Sequence, residues 1–227
     1  MSEPEPRAQD AEDMGFVRVP VPTLERLTTY LRCLIDAGAS GIDKISSAQI
    51  EERSGIGAAQ FRKDLSYFGE FGKPGVGYSV ADLESRIARI LQIHRMQPIL
   101  LVGAGNLGSA LASYPGLEEH KFQIVAIFDA APSKVGHRLH GMDILDVRRM
   151  SEVNAPIGAR IAILAVPAAA AQTAADQLVS VGIRAILNFA PVPIRVPTKI
   201  VVRNVSFVQE LAVLSYQLTA NERPTPA

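Results

Sequence analysis

Residues 103 to 108 read "GAGNLG"; the apolar run "PILLV" comes just before them and "SALASY" directly after. Glycines spaced G-x-G-x-x-G between a strand-length apolar run and a helix-forming segment leave few folds open to the chain. A second apolar run, "QIVAIFD", ends at Asp129, 21 residues beyond Gly108. Strand, glycine turn, helix and a second strand ending in an acidic residue make up the opening of a Rossmann unit, which holds a dinucleotide. Gly103 permits the tight turn, Gly105 lets backbone amides approach a pyrophosphate, and Gly108 lets helix and strand pack closely. The start of the helix attracts the phosphates. Asp129 is placed to accept from the adenosine ribose hydroxyls and to repel a 2′-phosphate, which favours NAD(H) over NADP(H). A glycine turn of purely structural use fits the same letters; the flanking strands favour the dinucleotide.

The rest of the C-terminal half keeps that rhythm. "IAILAV" and "AILNF" are short apolar runs on either side of an Ala-rich helix expected over 168–181. Alternating strands and helices predict a doubly wound parallel sheet covered on both faces. "FVQELAVLSYQL" returns to helix, with Phe207, Leu211, Leu214 and Leu218 on one stripe.

The N-terminal half reads as helices. Leu24, Leu27, Leu31 and Leu34 give the first an apolar face, and Gly38 and Gly41 end it. Ser46 and Gln49 resemble a capping box opening a second helix that stops by Gly55. A third is expected from Ala58 to Phe68, with Phe61, Leu65 and Phe68 inward. "FGEFGKPGVGY" has too many glycines for a helix and predicts a turn or small β-wing. Leu83, Ile87, Ile90 and His94 mark a fourth helix. Two short helices joined by a glycine turn fit a helix-turn-helix. On its second helix Ala59, Arg62, Lys63 and Ser66 lie opposite the apolar stripe, and small residues beside Arg and Lys suit a DNA groove. Lys73 in the wing adds a cation. Residues 16 to 78 carry eight Lys or Arg against seven Asp or Glu, so a solvated charged face fits the same residues.

Composition narrows the classes. The hydrophobic share of 48% and the charged share of 20% suit a globular protein, and the 23 basic and 23 acidic residues cancel. Residues 1–20 contain Glu3, Glu5, Asp10, Glu12 and Asp13 with Pro4 and Pro6, and are expected to be a disordered acidic tail without signal-peptide character. The longest apolar run, 161–171, is too short to span a bilayer. Cys33 is the single cysteine, which excludes an internal disulfide and a multi-cysteine zinc site. His137 and His140 have no third ligand nearby and read as a surface pair, so no metal is expected. These features predict a cytoplasmic protein.

The motifs "SSAQI", "RKDLSYFGEFG", "GVGY", "GAGNLG", "FDA", "AVPAAAAQ" and "GIRAILNFAP" together resemble the redox-sensing transcriptional repressors called Rex, from about Val21 to Leu218. The resemblance implies a winged-helix DNA-binding domain over 21–97 and a Rossmann NAD(H)-binding domain over 98–205. It implies a C-terminal helix over 206–220 that is exchanged between the protomers of a homodimer. It further implies binding to a palindromic double-stranded operator that is released by NADH. The cofactor-binding residues it implies are Gly103, Ala104, Gly105, Asn106, Leu107, Gly108 and Asp129, with Val166, Pro167, Asn188, Phe189, Ala190, Pro191 and Phe207. The DNA-facing set becomes Ser47, Ala59, Gln60, Arg62, Lys63, Ser66, Lys73 and Gly75. A redox switch is implied at Arg32, Tyr114 and Ser206. Ser206 stands where the family pattern has aspartate, and Pro74 where the wing usually has a basic residue.

A dehydrogenase needs a proton donor or acceptor at the nicotinamide. "AVPAAAA" and "LNFAPVP" offer none, which favours a ligand-operated switch binding NADH and NAD⁺ over an enzyme. A small NAD-dependent oxidoreductase and a CoA- or nucleotide-binding module remain open alternatives.

Overall fold

The computed structural model describes residues 19–72 and 76–222. Most of the expected acidic tail, and Lys73, Pro74 and Gly75 of the expected wing, lie outside them. The chain divides into two units, Met1–His94 and Arg95–Ala227.

The N-terminal unit is built on α1 (Val21–Ala39), which buries Leu27, Tyr30, Leu31, Leu34 and Ala37. Strand β1 (Lys44–Ile45) leads into α2 (Ser47–Ser54). The Ser46 hydroxyl accepts from the Gln49 amide at 3.2 Å, and Gln49 Oε1 accepts from the Ser46 amide at 2.8 Å, the reciprocal pair of a capping box. Gly55, at φ +70°, closes α2 in the left-handed region. Helix α3 (Ala58–Ser66) follows, then β2 (Tyr78–Ser79) and α4 (Val80–Ile90). Phe61 is fully buried, edge-on to Tyr30 at 4.9 Å and to Tyr78 at 5.3 Å.

Two expectations need correction in this unit. Helix α3 stops at Ser66, before Phe68. Helix α4 stops at Ile90, because Gln92 turns the chain at φ +60°, so His94 lies beyond it. Strand β2, at the end of the glycine-rich segment, pairs antiparallel with β1, upstream of α2. Cys33 is buried in this core, and burial pushes its thiol pKa up.

The C-terminal unit runs β3 (Gln97–Val102), α5 (Asn106–Ala112), α6 (Gly116–Glu119), β4 (Phe122–Asp129), β5 (Arg138–Leu139) and β6 (Met142–Asp146). A 3-10 turn leads into α7 (Met150–Ile157), then β7 (Ile161–Leu164), α8 (Ala168–Ser180), β8 (Ala185–Asn188), β9 (Val201–Asn204) and α9 (Phe207–Glu222). The strands form one sheet in the order β5-β6-β4-β3-β7-β8-β9, parallel except for β5 against β6. Leu100 and Val102 join the cluster that includes Leu178 and Met150, while Ile99 and Leu101 join the one that includes Ile127 and Ile163. Both faces are therefore buried, as a parallel sheet requires. An irregularity in the β3–β4 register passes over Val125. It resets the alternation, so Ile124 and Ile127 share one cluster and Ala126 and Phe128 the other.

Helix α9 differs from every other helix of the unit. Phe207, Leu211, Leu214 and Leu218 are each more than half exposed. No helix among the described residues is long and apolar enough to cross a membrane.

Candidate cofactor cleft and nucleic-acid interface

β4 lies on one side of β3 and β7 on the other, so the chain's winding direction reverses at the carboxyl end of β3. Open parallel sheets bind ligands at that crevice. A cleft of about 600 Å³ occupies it, lined by Gly103, Gly105, Asn106, Leu107, Asp129, Val166, Pro167 and Phe189 among others. Gly103 adopts φ +104°, and a Cβ there would lie 2.2 Å from the Ala165 carbonyl oxygen. A Cβ on Gly108 would lie 1.8 Å from the Gly103 carbonyl oxygen, whereas one on Gly105 would meet nothing within 4 Å. Gly103 and Gly108 are thus demanded by the protein, and Gly105 only by whatever approaches the loop. Gly105 is also the residue before α5, whose start no side chain caps. Gly108 is buried beneath the cleft rather than lining it.

The Asp129 carboxylate is more committed than the sequence implies. Its Oδ1 accepts from the Ala131 amide at 2.8 Å; its Oδ2 accepts from the Ala104 amide at 2.8 Å and the Lys134 ammonium at 3.0 Å. Burial opposes the charge, but those amides and Lys134 outweigh it and hold the carboxyl below the usual range. With about four lone-pair positions on a carboxylate, one remains for a ribose hydroxyl rather than two. Asp129 also joins the glycine loop, through Ala104, to the turn after β4. Lys134 lines the cleft and escapes the sequence reading; a lysine five residues beyond the terminal aspartate was its only signal. It gives the cleft a cation, but one paired with Asp129 at the far end from Pro167 and Phe189 in the chain's strand order.

The "NFAP" residues separate. Asn188 is fully buried, donating to the Val192 carbonyl and to Asn204 Oδ1 and accepting from the Ala190 amide. It lines neither the glycine cleft nor the hollow beside it; it shapes the turn that presents Phe189. Ala190, Pro191 and Phe207 line a neighbouring hollow with Ser206, and Phe189 borders both. The Phe189 and Phe207 rings lie 6.4 Å apart. The Ser206 hydroxyl accepts from the Gln209 amide at 3.3 Å and so caps α9. Tyr114 is exposed, its ring so close over Gly116 that a Cβ there would lie 2.6 Å from it. Arg32 is exposed on α1, in the other unit.

On α3, Ala59, Arg62, Lys63 and Ser66 are all exposed, and Arg62 donates to the Ser47 hydroxyl at 2.9 Å. A groove lined by Ser46, Ser47, Arg62, Ser66, Phe71 and Tyr78 runs beside them. Arg86 sits 3.8 Å over the Phe71 ring and donates to the Glu70 carbonyl, bracing the start of the wing. Gln60 departs from the expected set: its amide donates inward to Asp64 at 2.8 Å. Asp64 itself, fully buried, was missed because "RKD" reads as surface charge. It accepts from both Arg26 Nε and Nη2 at 2.6 Å, from Tyr30 at 2.9 Å and from Thr23 at 3.2 Å. Burial opposes its charge, and the donors Arg26, Gln60 and Tyr30 overcome that and lower its pKa. Among the described residues no group of acidic, histidine or cysteine side chains could hold a metal.

A winged-helix unit joined to a nucleotide-binding Rossmann unit defines a regulator that couples DNA to a small ligand. Residues 18–66 match the family model "Putative DNA-binding protein N-terminus", and residues 94–192 match "CoA binding domain". The chain is 46% identical to the redox-sensing transcriptional repressor Rex of Pelotomaculum thermopropionicum, over 92% of this chain and 98% of that one. It is 45% identical to its counterpart from Desulfitobacterium hafniense, over 90% and 98%. Among solved structures, RSP, a Rex-family repressor, matches in its complex with β-NAD⁺ and operator DNA, with a TM-score of 0.85, 35% identity and coverage of 90% and 94%. Its complex with β-NADH matches with a TM-score of 0.80, 33% identity and coverage of 91% and 97%. The chain belongs to the Rex family of redox-sensing transcriptional repressors.

Proposed function

We propose that this chain is a repressor that binds a palindromic operator as a homodimer when NADH is scarce and releases it when NADH fills the glycine cleft. The observation carrying this reading is the presence, in one Rex-family chain, of a glycine cradle at the sheet's switch point and an exposed Arg62–Lys63 face on α3. The open space at Gly105 fits a pyrophosphate held by backbone amides. Gly105, Asn106 and Leu107 would hold the phosphates, Asp129 and Lys134 the adenosine ribose, and Val166, Pro167 and Phe189 the nicotinamide end. The bound cofactor supplies occupancy rather than hydride transfer, and the chain turns over no substrate. The uncovered stripe of α9 supports its exchange between protomers. Arg32, Tyr114 and Ser206 would change partners as the cofactor docks. The site of action is the cytoplasm, where the operator is found.

The test is to titrate a labelled palindromic operator duplex with the full chain at fixed salt, adding NADH or NAD⁺. Coupling of this kind typically amounts to about 1–3 kcal/mol, or roughly 5- to 150-fold in operator affinity. Release by NADH and not by NAD⁺ is expected. DNA binding indifferent to both, or sustained NADH consumption with a small carbonyl, would overturn the reading. Displacement of NADH by CoA would favour the second ligand class that the matched domain's name raises.

A further inference from the structure

The carboxylate of Asp64 ties α3 to α1. Thr23, Arg26 and Tyr30 stand at helical spacings on one stripe of α1, and all three donate to it, joined by Gln60 from α3 itself. Arg26 does so with two nitrogens, and this planar two-point contact fixes direction as well as distance. A buried ion pair is commonly replaceable by well-packed apolar residues at little cost in stability, so stability does not by itself account for this one. Asp64 lies two residues after Arg62, about 200° further round a helix of 3.6 residues per turn. The inward anchor therefore sits nearly opposite the outward cation.

We infer that Asp64 and Arg26 are positioning residues for operator reading: their two-point pair sets the roll of α3, and with it where Arg62 and Lys63 point. The inference rests on α3 being the DNA-facing helix. A roll of about 20° moves a side-chain tip at a 5–6 Å helix radius by about 2 Å. That is enough to break a base-edge hydrogen bond, while a flexible cation can still reach a phosphate. Loosening the anchor thus erodes sequence choice more than general DNA affinity. Holding Gln60 inward is a second effect of the same carboxylate.

The experiment uses two variants of the full chain, the double variant Asp64→Leu with Arg26→Met, and Arg26→Lys. The first replaces the ion pair with apolar groups; the second keeps the charge and removes the planar fork. Melting temperature, NADH affinity by fluorescence, and affinity for the operator duplex of the RSP complex and for a scrambled duplex are measured. The double variant is expected to lose tenfold or more of its operator-to-scrambled ratio, with scrambled-duplex and NADH affinities within about twofold of wild type. Arg26→Lys is expected to lose part of the ratio in the same direction, and it decides the matter if the double variant does not fold. A lowered melting temperature with an unchanged ratio would reduce the pair to a structural brace and overturn the inference. A wild-type chain that does not prefer operator would instead overturn the reading of α3 on which the inference rests.

Discussion

Gly103 and Gly108, five residues apart, meet so closely that a Cβ on Gly108 would overlap the Gly103 carbonyl oxygen, while Gly105 between them faces open space. Substituting Ala at the two outer positions and at the middle one should therefore fail differently. Gly108→Ala must move backbone, so it is expected to lower stability by about 1–3 kcal/mol and to abolish measurable NADH binding. Gly105→Ala, at φ −85°, is expected to melt like the wild type and still bind NADH at least tenfold more weakly. Thermal melts run beside fluorescence titrations separate the two.

Asp129→Ala removes both the latch on the Ala104 amide and the acceptor expected for the ribose. NADH affinity should fall by tenfold or more, about 1.4 kcal/mol. Lys134, no longer paired, is left free to meet a 2′-phosphate, so the preference for NADH over NADPH should narrow. Parallel titrations with the two cofactors check this. Unchanged NADH affinity would remove Asp129 from the site.

Acid should weaken the fold through two carboxylates. Asp64 and Asp129 both have lowered pKa values in the folded chain. Each contributes stability that is complete above the unfolded value of about 3.9 and is lost as pH falls through the lower folded value. The melting temperature should stay level from pH 7 to about 5 on account of these groups and fall below about 4. Asp64→Asn should make that acid limb shallower, as followed by circular dichroism.

Arg62→Ala and Lys63→Ala should separate sequence choice from general affinity. Loss of Arg62 is expected to relax base preference by about 1–3 kcal/mol at one operator position. Loss of Lys63 should weaken operator and scrambled DNA alike and lower the salt dependence by about one ion. Competition binding at several salt concentrations tests both.

Ser206 caps α9 with its hydroxyl, a role aspartate fills equally well. Ser206→Ala should cost about 1 kcal/mol of helix stability. On the proposed switch, Ser206→Asp keeps the cap and offers Arg32 a charge, so NADH should weaken operator binding by a larger factor in that variant. The operator titration with and without NADH measures the difference. An unchanged factor would leave Ser206 as a cap alone.

The fold was legible wherever local pattern and tertiary demand agreed. Ser46, Gln49 and Gly55 mark the limits of α2 by chemistry contained within the helix. The runs around Leu100, Ile127 and Ile163 are buried on both faces and read as strands for that reason. β9 was not legible: it lies at the sheet's edge and is largely exposed, and its apolar letters, Ile200 to Val202, fall short of strand length. β5 has two residues, too few for any period. The site divides in the same way. Gly103 and Gly108 are constrained by close backbone packing, and the spacing of the three glycines reveals the loop that also holds Gly105. Asp64 and Gln60 depend on α1, more than thirty residues upstream, and nothing in "QFRKD" shows that one carboxylate turns inward. Asn188 shares a motif with Phe189 yet faces the opposite way, because a four-residue motif does not record which side of the strand end each residue takes.

Cys33 lies on the buried face of α1, with its thiolate disfavoured by burial. Peroxides and mixed disulfides need an accessible thiolate, so oxidative damage has no easy chemical entry at this residue. The word redox, applied to this family, therefore does not extend to this chain's one cysteine. An oxidant burst and a surplus of reducing equivalents are different events in a cell, and a chain built this way can answer the second without its cysteine being covalently marked by the first.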